Sequence, residues 1–213
     1  MMKNWKGLLT MVLSISLLAP TTGLAFTDVG QREGHGKLLS LKNRGIIQGI
    51  SAEKFAPHQQ LTYAQAVTLI VKGLNLNIDH IRFVKEPKAS DYYTSVPNDA
   101  WYANSFLVAH LNGMELDKNV KPNEYMTREQ FADLLMKAAL KTGDYMFIEL
   151  YIMIQDEQSI NPQFMNSIQK LLLTKIGELK DGEKFEPQLP LTREEAAIWI
   201  YNAIEFIENH KQK

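Results

Sequence analysis

One short pattern occurs three times in this chain, and its spacing constrains the fold more than any other feature of the sequence. The stretches LTYAQ, MTREQ and LTREE place Thr62, Thr127 and Thr192 at intervals of 65 residues. Repetition at a fixed period indicates a chain built from copies of one structural unit. A proline-containing turn precedes each threonine by the same distance, and the three turns are Phe55-x-Pro57, Val120-x-Pro122 and Phe185-x-Pro187.

Each threonine is predicted to begin an amphipathic α-helix. A threonine at the N-cap accepts a hydrogen bond from a backbone N–H of the first turn, and a Glu or Gln three residues later completes the capping box. Gln65, Gln130 and Glu195 occupy that later position. The apolar residues that follow have the spacing of one helix face. A hydrophobic staple is predicted from the apolar residue before each threonine, namely Leu61, Met126 and Leu191.

A shorter helix is predicted upstream of each proline turn. In the first unit it leads to the turn NRGIIQG, in the second it ends at Gly113, and in the third it ends at Gly177. The apolar run 145–154 is too short to span a membrane and is predicted to be buried or to form a short extra helix. The sequence therefore predicts an all-α fold made of three helix-loop-helix units.

The first 25 residues carry the pattern of a secretory signal peptide. Lys3 and Lys6 precede the apolar run GLLTMVLSISLLA, and the small residues Gly23 and Ala25 fit a cleavage site after Ala25. Thirteen apolar residues are fewer than the about 20 that span a bilayer. We expect export with cleavage, and an uncleaved anchor is the alternative.

Composition excludes several classes of function. Cleavage would remove two of 23 basic residues and none of 24 acidic ones, which leaves a net charge of −3 and no indication of a nucleic-acid partner. The absence of cysteine excludes disulfides, a thiol nucleophile, a cysteine metal site and a lipid-bearing cysteine. The apolar fraction of 45% is sufficient for a folded core. No cofactor is expected.

The sequence contains no recognisable catalytic motif. Its five histidines are scattered, and neither a His-Glu-x-x-His pair nor a Gly-x-Ser-x-Gly elbow occurs. The adjacent acids Glu194–Glu195 and Asp156–Glu157 would point to different faces of a helix, so we interpret them as solvated surface. We expect a protein that is not an enzyme, with a hydrolase as the alternative.

Several stretches together resemble S-layer homology domains, which commonly occur as three tandem copies. They are FTDV at 26–29, NRGIIQG at 43–49 and VPNDAWYA at 96–103, with the proline turns and the TRE helix starts. The resemblance covers residues 26–208 and divides the chain into the signal peptide 1–25 and repeats at 26–78, 79–142 and 143–213, of which the first and third are degenerate.

This resemblance implies a pseudo-three-fold helical bundle whose grooves bind the secondary polysaccharide of a bacterial cell wall, typically at a pyruvylated sugar. The expected protein is secreted to the cell wall or cell surface, has no membrane span after signal cleavage, and has the polysaccharide and other cell-surface proteins as partners. An alternative is a scaffold of the same fold that has lost carbohydrate binding. The groove residues that the resemblance implies are Asp28, Gly49, Trp101, Gly113, Arg128 and Arg193.

This sequence departs from the family pattern in each repeat. Tyr63 replaces the arginine of the first repeat, Glu33 stands at the position of its tryptophan, and Ser95 replaces the aspartate of the second. The third repeat shows an arginine without the preceding aspartate or tryptophan. One or two working grooves are therefore expected.

Each implied ligand residue also has a structural interpretation. An arginine at a helix start offers a planar set of donors for a carboxylate, and an indole offers a flat surface for a sugar ring. The arginines could instead be structural, Trp101 could belong to the core, and Asp28 could cap the first helix. Trp199 is predicted to be core because it lies on the apolar stripe.

Overall fold

The computed structural model of this protein describes residues 26–30 and 34–210. The predicted signal peptide at 1–25 and the position of Glu33 lie outside the described residues. Among the described helices, none is long and apolar enough to cross a membrane.

The described residues form α-helices joined by turns and loops, which confirms the all-α prediction. Three short 3₁₀ turns at Ala89–Asp91, Glu157–Ser159 and Pro162–Phe164 accompany them. The helices are α1 (His35–Asn43), α2 (Tyr63–Gly73), α3 (Ala103–Leu111), α4 (Arg128–Leu140), α5 (Met165–Leu173) and α6 (Arg193–His210).

The long helices α2, α4 and α6 begin at the three threonines, as predicted. The side chains of Thr62 and Thr127 accept from the backbone N–H of the residue three positions later, and the Gln side chain there accepts from the N–H of the threonine. Thr192 and Glu195 make the same reciprocal pair at 3.3 and 3.2 Å. These caps satisfy backbone donors that would otherwise be unpaired at the helix starts.

The three staple residues join the helix starts in a closed ring. Leu61 N donates to Leu191 O, Met126 N donates to Leu61 O, and Leu191 N donates to Met126 O, each at 3.0 Å. All three side chains are buried. This ring supports the expected three-fold arrangement, which stays a prediction together with the repeat boundaries.

The short helices interlock the units. Helix α3 packs on α2, α5 packs on α4, and α1 packs on α6, so each short helix lies against the long helix that precedes it around the ring. A groove between two units is therefore lined by the long helix of one and the start of the short helix of the next. This arrangement positions the candidate site.

Two local predictions were wrong. Residues 145–154 form no helix, and Met146, Ile148 and Met153 are exposed. Helix α5 ends at Leu173, and the left-handed residue that follows it is Lys175 (φ 57°) instead of the predicted Gly177. A side chain at Gly177 would collide with Leu171, so this glycine is needed for close packing.

Candidate functional site

Asp28 holds a turn of its own unit. Its two carboxylate oxygens accept from the backbone N–H groups of Phe55 and Ala56, both at 2.8 Å. Partial desolvation opposes ionisation of this carboxyl, but the two backbone donors outweigh it and lower the pKa of Asp28 below its usual value. The alternative in which Asp28 caps the first helix was wrong.

Asp156 holds the corresponding turn of the third unit, and this role was not predicted from the sequence. Its oxygens accept from Phe185 N at 2.7 Å and Glu186 N at 2.8 Å. Ala56 and Glu186, the residues after the two phenylalanines, both have positive φ. Asp156 was interpreted as solvated surface because it and Glu157 were expected to point to different faces of a helix. Its distance of 29 residues ahead of Phe185, against 27 for Asp28 and Phe55, was the available signal.

Arg193 reaches from the start of α6 onto the first unit. Its Nε donates to Phe55 O at 2.9 Å, its Nη2 donates to Gln48 O at 2.8 Å, and its guanidinium lies 4.7 Å from the centre of the Phe55 ring. Burial lowers the pKa of Arg193, while the charge of Asp28 opposes that shift. The arginine at the start of α6 therefore contacts the turn that precedes α2.

A cavity of about 630 Å³, the first cavity, brings together Arg193, Trp101 and Gly49. Trp101 is 66% exposed, so it is a wall of the cavity and not part of the core. Lys72 of α2 adds a second cation. The lining contains no Asp or Glu, and its other members are Ile46, Ile47, Gln48, Ile50, Phe55, Leu61, Gln65, Thr68, Leu69, Val71, Asn104 and Ser105. This cavity suits a ligand with negative charge and one apolar face.

The two predicted glycines have different roles. A side chain at Gly49 would collide with the carbonyl oxygens of Ser51 and Lys54, so the cavity wall requires glycine there. Gly113 has φ of 77° and ends α3, as Gly45 with φ of 71° ends α1. Gly113 lies outside the first cavity.

Arg128 is buried, with 2% of its surface exposed, and lines none of the cavities that we describe. Its Nε donates to Phe185 O at 2.7 Å and its Nη1 donates to Glu195 Oε1 at 2.6 Å. Lys180 also binds Glu195 Oε1. The guanidinium lies 5.1 Å from the rings of both Phe185 and Trp199, and the 4% exposure of Trp199 confirms it as core.

A second cavity of about 490 Å³ lies between α4 and the 3₁₀ turn Pro162–Phe164. Tyr63 occupies the place that Arg193 has in the first cavity. Burial, with the charges of Glu124 and Asp117, raises the pKa of Tyr63 to about 12. The lining contains four acidic residues and two lysines, which suits an anion poorly, and these residues are Glu115, Asp117, Glu124, Asp133, Lys121 and Lys137.

A third and smaller cavity of about 200 Å³ lies between α6 and the start of α1. Gly34 and Lys37 line one side, and Glu178 and Asn202 line the other. The arginine that corresponds at this junction to Arg193 of the first cavity is Arg128, and Glu195 covers it. The three cavities therefore differ in charge and in access, and the first is the largest.

Sequence reasoning missed the contribution of α2 to the first cavity. Gln65, Thr68 and Lys72 are three and four residues apart, which places them on one face of the helix. The hydroxyl of Thr68 is buried and has no hydrogen-bond partner within the described residues. That spacing was visible in the sequence, but the sequence analysis considered only the apolar face of this helix. Within the described residues, no group of His, Asp and Glu side chains could hold a metal ion.

Comparison with known proteins gives this geometry a family context. Residues 25–67 match the S-layer homology domain. The chain is 27% identical over 189 residues to an exoglucanase (XynX) of Acetivibrio thermocellus and 24% identical over 208 residues to the surface-layer 125 kDa protein of Lysinibacillus sphaericus. These alignments cover 87% and 93% of this chain but 17% of each relative.

An S-layer-related protein of Niallia circulans is 35% identical over 72 residues, which are 34% of this chain and 4% of the relative. The chain thus spans less than a fifth of the length of these relatives. An S-layer homology domain is a binding module, and these findings support secretion to the bacterial cell wall or surface. The chain carries an S-layer homology domain at residues 25–67, which supports a cell-surface anchoring module.

Proposed function

We propose that this protein attaches non-covalently to the secondary polysaccharide of the bacterial cell wall and that a pyruvylated sugar of this polymer binds in the first cavity. The convergence of Arg193, Trp101 and Gly49 on one cavity without acidic residues carries the proposal. A ketal-linked pyruvate presents a carboxylate on a sugar ring, so its recognition requires both cations and a flat apolar surface.

The two cations and the indole supply these requirements. Arg193 is oriented by two backbone carbonyls and by the Phe55 ring, so its guanidinium is held in place before a ligand arrives. Lys72 adds a second positive charge. The exposed Trp101 offers its face to the sugar ring, and its N–H lies at the edge of that face.

The other predicted residues contribute outside the cavity in this proposal. Asp28 orders the turn that carries the carbonyl of Phe55, and that carbonyl in turn binds Arg193. Gly113 ends α3, and Arg128 stabilises the contact between the second and third units. The proposed function therefore uses one open cavity.

Co-sedimentation of the full chain with purified wall sacculi tests the proposal, before and after hydrofluoric acid removes phosphodiester-linked polysaccharide. We expect pelleting that depends on the polysaccharide and is lost in Trp101→Ala and in Lys72→Gln. Matched controls are Gln163→Ala and Lys137→Gln, which change the corresponding positions of the second cavity and should leave pelleting unchanged. Equal losses in both pairs would contradict the assignment to the first cavity.

The second candidate function is a scaffold of the same fold that binds other cell-surface proteins. The exposed apolar residues between 146 and 153 favour it, because exposed apolar patches often mark protein contacts. Absence of pelleting on sacculi of the native host would favour this function over wall binding. Release of reducing ends from the polysaccharide would instead indicate a hydrolase.

A further inference from the structure

The same two helix positions meet at each junction between units. We count the N-cap threonine of each long helix as position one. The residue at position two of one long helix and the capping residue at position four of the next long helix lie at the same junction. Arg128 and Glu195 are in direct contact, while Arg193 and Gln65 line the first cavity together and Tyr63 and Gln130 line the second cavity together. We call them the junction pairs, and their chemistry differs in a way that determines which junction is open.

The pair Arg128–Glu195 is satisfied by opposite charges. Glu195 Oε2 accepts from Thr192 and completes the capping box, at 3.2 Å from Thr192 N and 2.9 Å from Thr192 Oγ1. Its Oε1 is thereby left to accept from Arg128 and from Lys180. The carboxylate of Glu195, which belongs to the chain itself, therefore already binds the guanidinium of Arg128.

The pair Tyr63–Gln130 is also satisfied within the chain. Gln130 Oε1 accepts from Thr127 N at 2.9 Å, which directs the amide nitrogen away from the backbone. Tyr63 and Gln130 both line the second cavity, and the Gln130 side chain opposes the burial-driven rise in the pKa of Tyr63. This junction has a tyrosine in place of the arginine, and four acidic residues surround it.

The pair Arg193–Gln65 consists of two donors. Gln65 Oε1 accepts from Thr62 N at 3.1 Å, so the amide nitrogen is the end that remains for the first cavity. Within the described residues, no hydrogen bond reaches Gln65 Nε2 or Arg193 Nη1, and the nearby Thr68 hydroxyl also lacks a partner. The cavity thus collects donors without an acidic acceptor.

The two arginines are held in the same way. Each donates from Nε to the carbonyl of a phenylalanine, Phe55 for Arg193 and Phe185 for Arg128, and each guanidinium lies over the ring of that same phenylalanine. The junctions differ in the capping residue, which is Gln65 in one and Glu195 in the other, and in the ring of Trp199, which packs on Arg128 where α2 has Leu69.

We infer that the carboxylate of Glu195 is a built-in ligand of the third junction. It binds Arg128 in the way that the carboxylate of an external ligand binds beside Arg193 and Gln65. The chain accordingly has one open anion site and one that it occupies itself. The inference rests on the proposed function for the nature of the external ligand. It explains why the buried Arg128 contributes no accessible site.

The substitution Gln65→Glu tests this inference, because it places a carboxylate opposite Arg193 while preserving an oxygen for the capping box. We expect binding to native sacculi to weaken by about tenfold or more, since a tethered group competes at an effective concentration of about millimolar. The matched control is Gln130→Glu, which adds the same charge beside Tyr63 and should leave binding unchanged. Circular dichroism establishes that both variants are folded.

A second readout does not depend on the wall ligand. The carboxyl introduced by Gln65→Glu should titrate at a lower pH than the one introduced by Gln130→Glu, because only the former faces an arginine. Carbon-detected NMR titration of the two variants measures this difference. Equal titration of the two carboxyls would overturn the inference.

The binding outcomes separate the inference from the proposed function. Normal binding by both the unmodified protein and Gln65→Glu would overturn the built-in ligand while leaving wall attachment intact. Loss of binding in both Gln65→Glu and Gln130→Glu would also overturn it, because net charge would then be the cause. Failure of the unmodified protein to bind sacculi would overturn the proposed function and the external half of the inference together.

Discussion

Arg128 and Glu195 form a buried ion pair, Nη1 to Oε1 at 2.6 Å, that joins the start of α4 to the start of α6. The arginine is 2% exposed and the glutamate side chain is 19% exposed. The Nη2 atom of Arg128 is also buried and has no hydrogen-bond partner within the described residues. The free energy of unfolding should therefore be sensitive to the loss of this carboxylate.

We expect Glu195→Gln to lower the free energy of unfolding by about 3 to 5 kcal/mol, because it removes the carboxylate that is bonded directly to a buried guanidinium. The amide oxygen preserves the cap on Thr192, so the change reports mainly on the charge. Urea denaturation followed by circular dichroism measures it. Glu208→Gln is the control, since its pair with Arg44 is exposed and should contribute at most about 1 kcal/mol. Similar losses in the two variants would contradict a special role for the buried pair.

Stability should fall in acid through the same residue. Burial opposes ionisation of Glu195, but Lys180 and Arg128 outweigh it and lower its pKa below the usual 4.5. A carboxyl with a lowered folded-state pKa stabilises fully above its unfolded-state pKa, and the contribution is lost as pH falls from there through the folded-state pKa. The stability difference between the unmodified protein and Glu195→Gln should therefore shrink as pH falls below about 4.5. Urea denaturation between pH 7 and pH 3 measures this difference, and a constant value would contradict the assigned charge interaction.

The two turn-holding aspartates should have similar effects on stability. We expect Asp28→Asn and Asp156→Asn each to cost about 1 kcal/mol or more, because each replaces a carboxylate oxygen that accepts from a backbone N–H with an amide donor. Ser95→Ala, at the corresponding place in the second unit, should be close to neutral. Thermal unfolding by differential scanning calorimetry compares the three. A neutral Asp156→Asn would mean that the bonds to Phe185 and Glu186 contribute little.

The two glycines should separate stability from binding. Gly113→Ala places a side chain at φ of 77° and should cost about 1 kcal/mol without changing attachment to sacculi. Gly49→Ala should weaken attachment, because a Cβ there displaces the turn from Ser51 to Lys54 that forms the cavity wall. Melting temperature and pelleting, measured on both variants, show the separation. Loss of attachment in Gly113→Ala would place that turn in the site after all.

The helices and their starts were predictable because they depend on short-range chemistry. A capping box needs only a threonine and a Glu or Gln three residues later, and both lie within one helical turn. The same locality made Leu61, Met126 and Leu191 recognisable as staples. The extended run at 145–154 was mispredicted because apolar composition alone does not distinguish a buried helix from an exposed segment.

The predicted ligand residues differ in where the structure places them. Arg193, Trp101 and Gly49 line one cavity, although they are at least 52 positions apart in the sequence. Arg128 carries the same TRE pattern as Arg193, yet it is buried against Glu195. No local pattern distinguishes the two arginines, because the distinction arises from a residue 67 positions away.

The sequence by itself determined the all-helical content, the helix starts and the repetition, since each follows from periodicity and from contacts within about one helical turn. The tertiary structure decided which residues share a cavity. The ring of staple bonds places the start of each long helix on the next unit, so every groove combines side chains from distant parts of the chain. Charge pairing across those junctions then decided that Arg193 faces an open cavity while Arg128 is covered by Glu195.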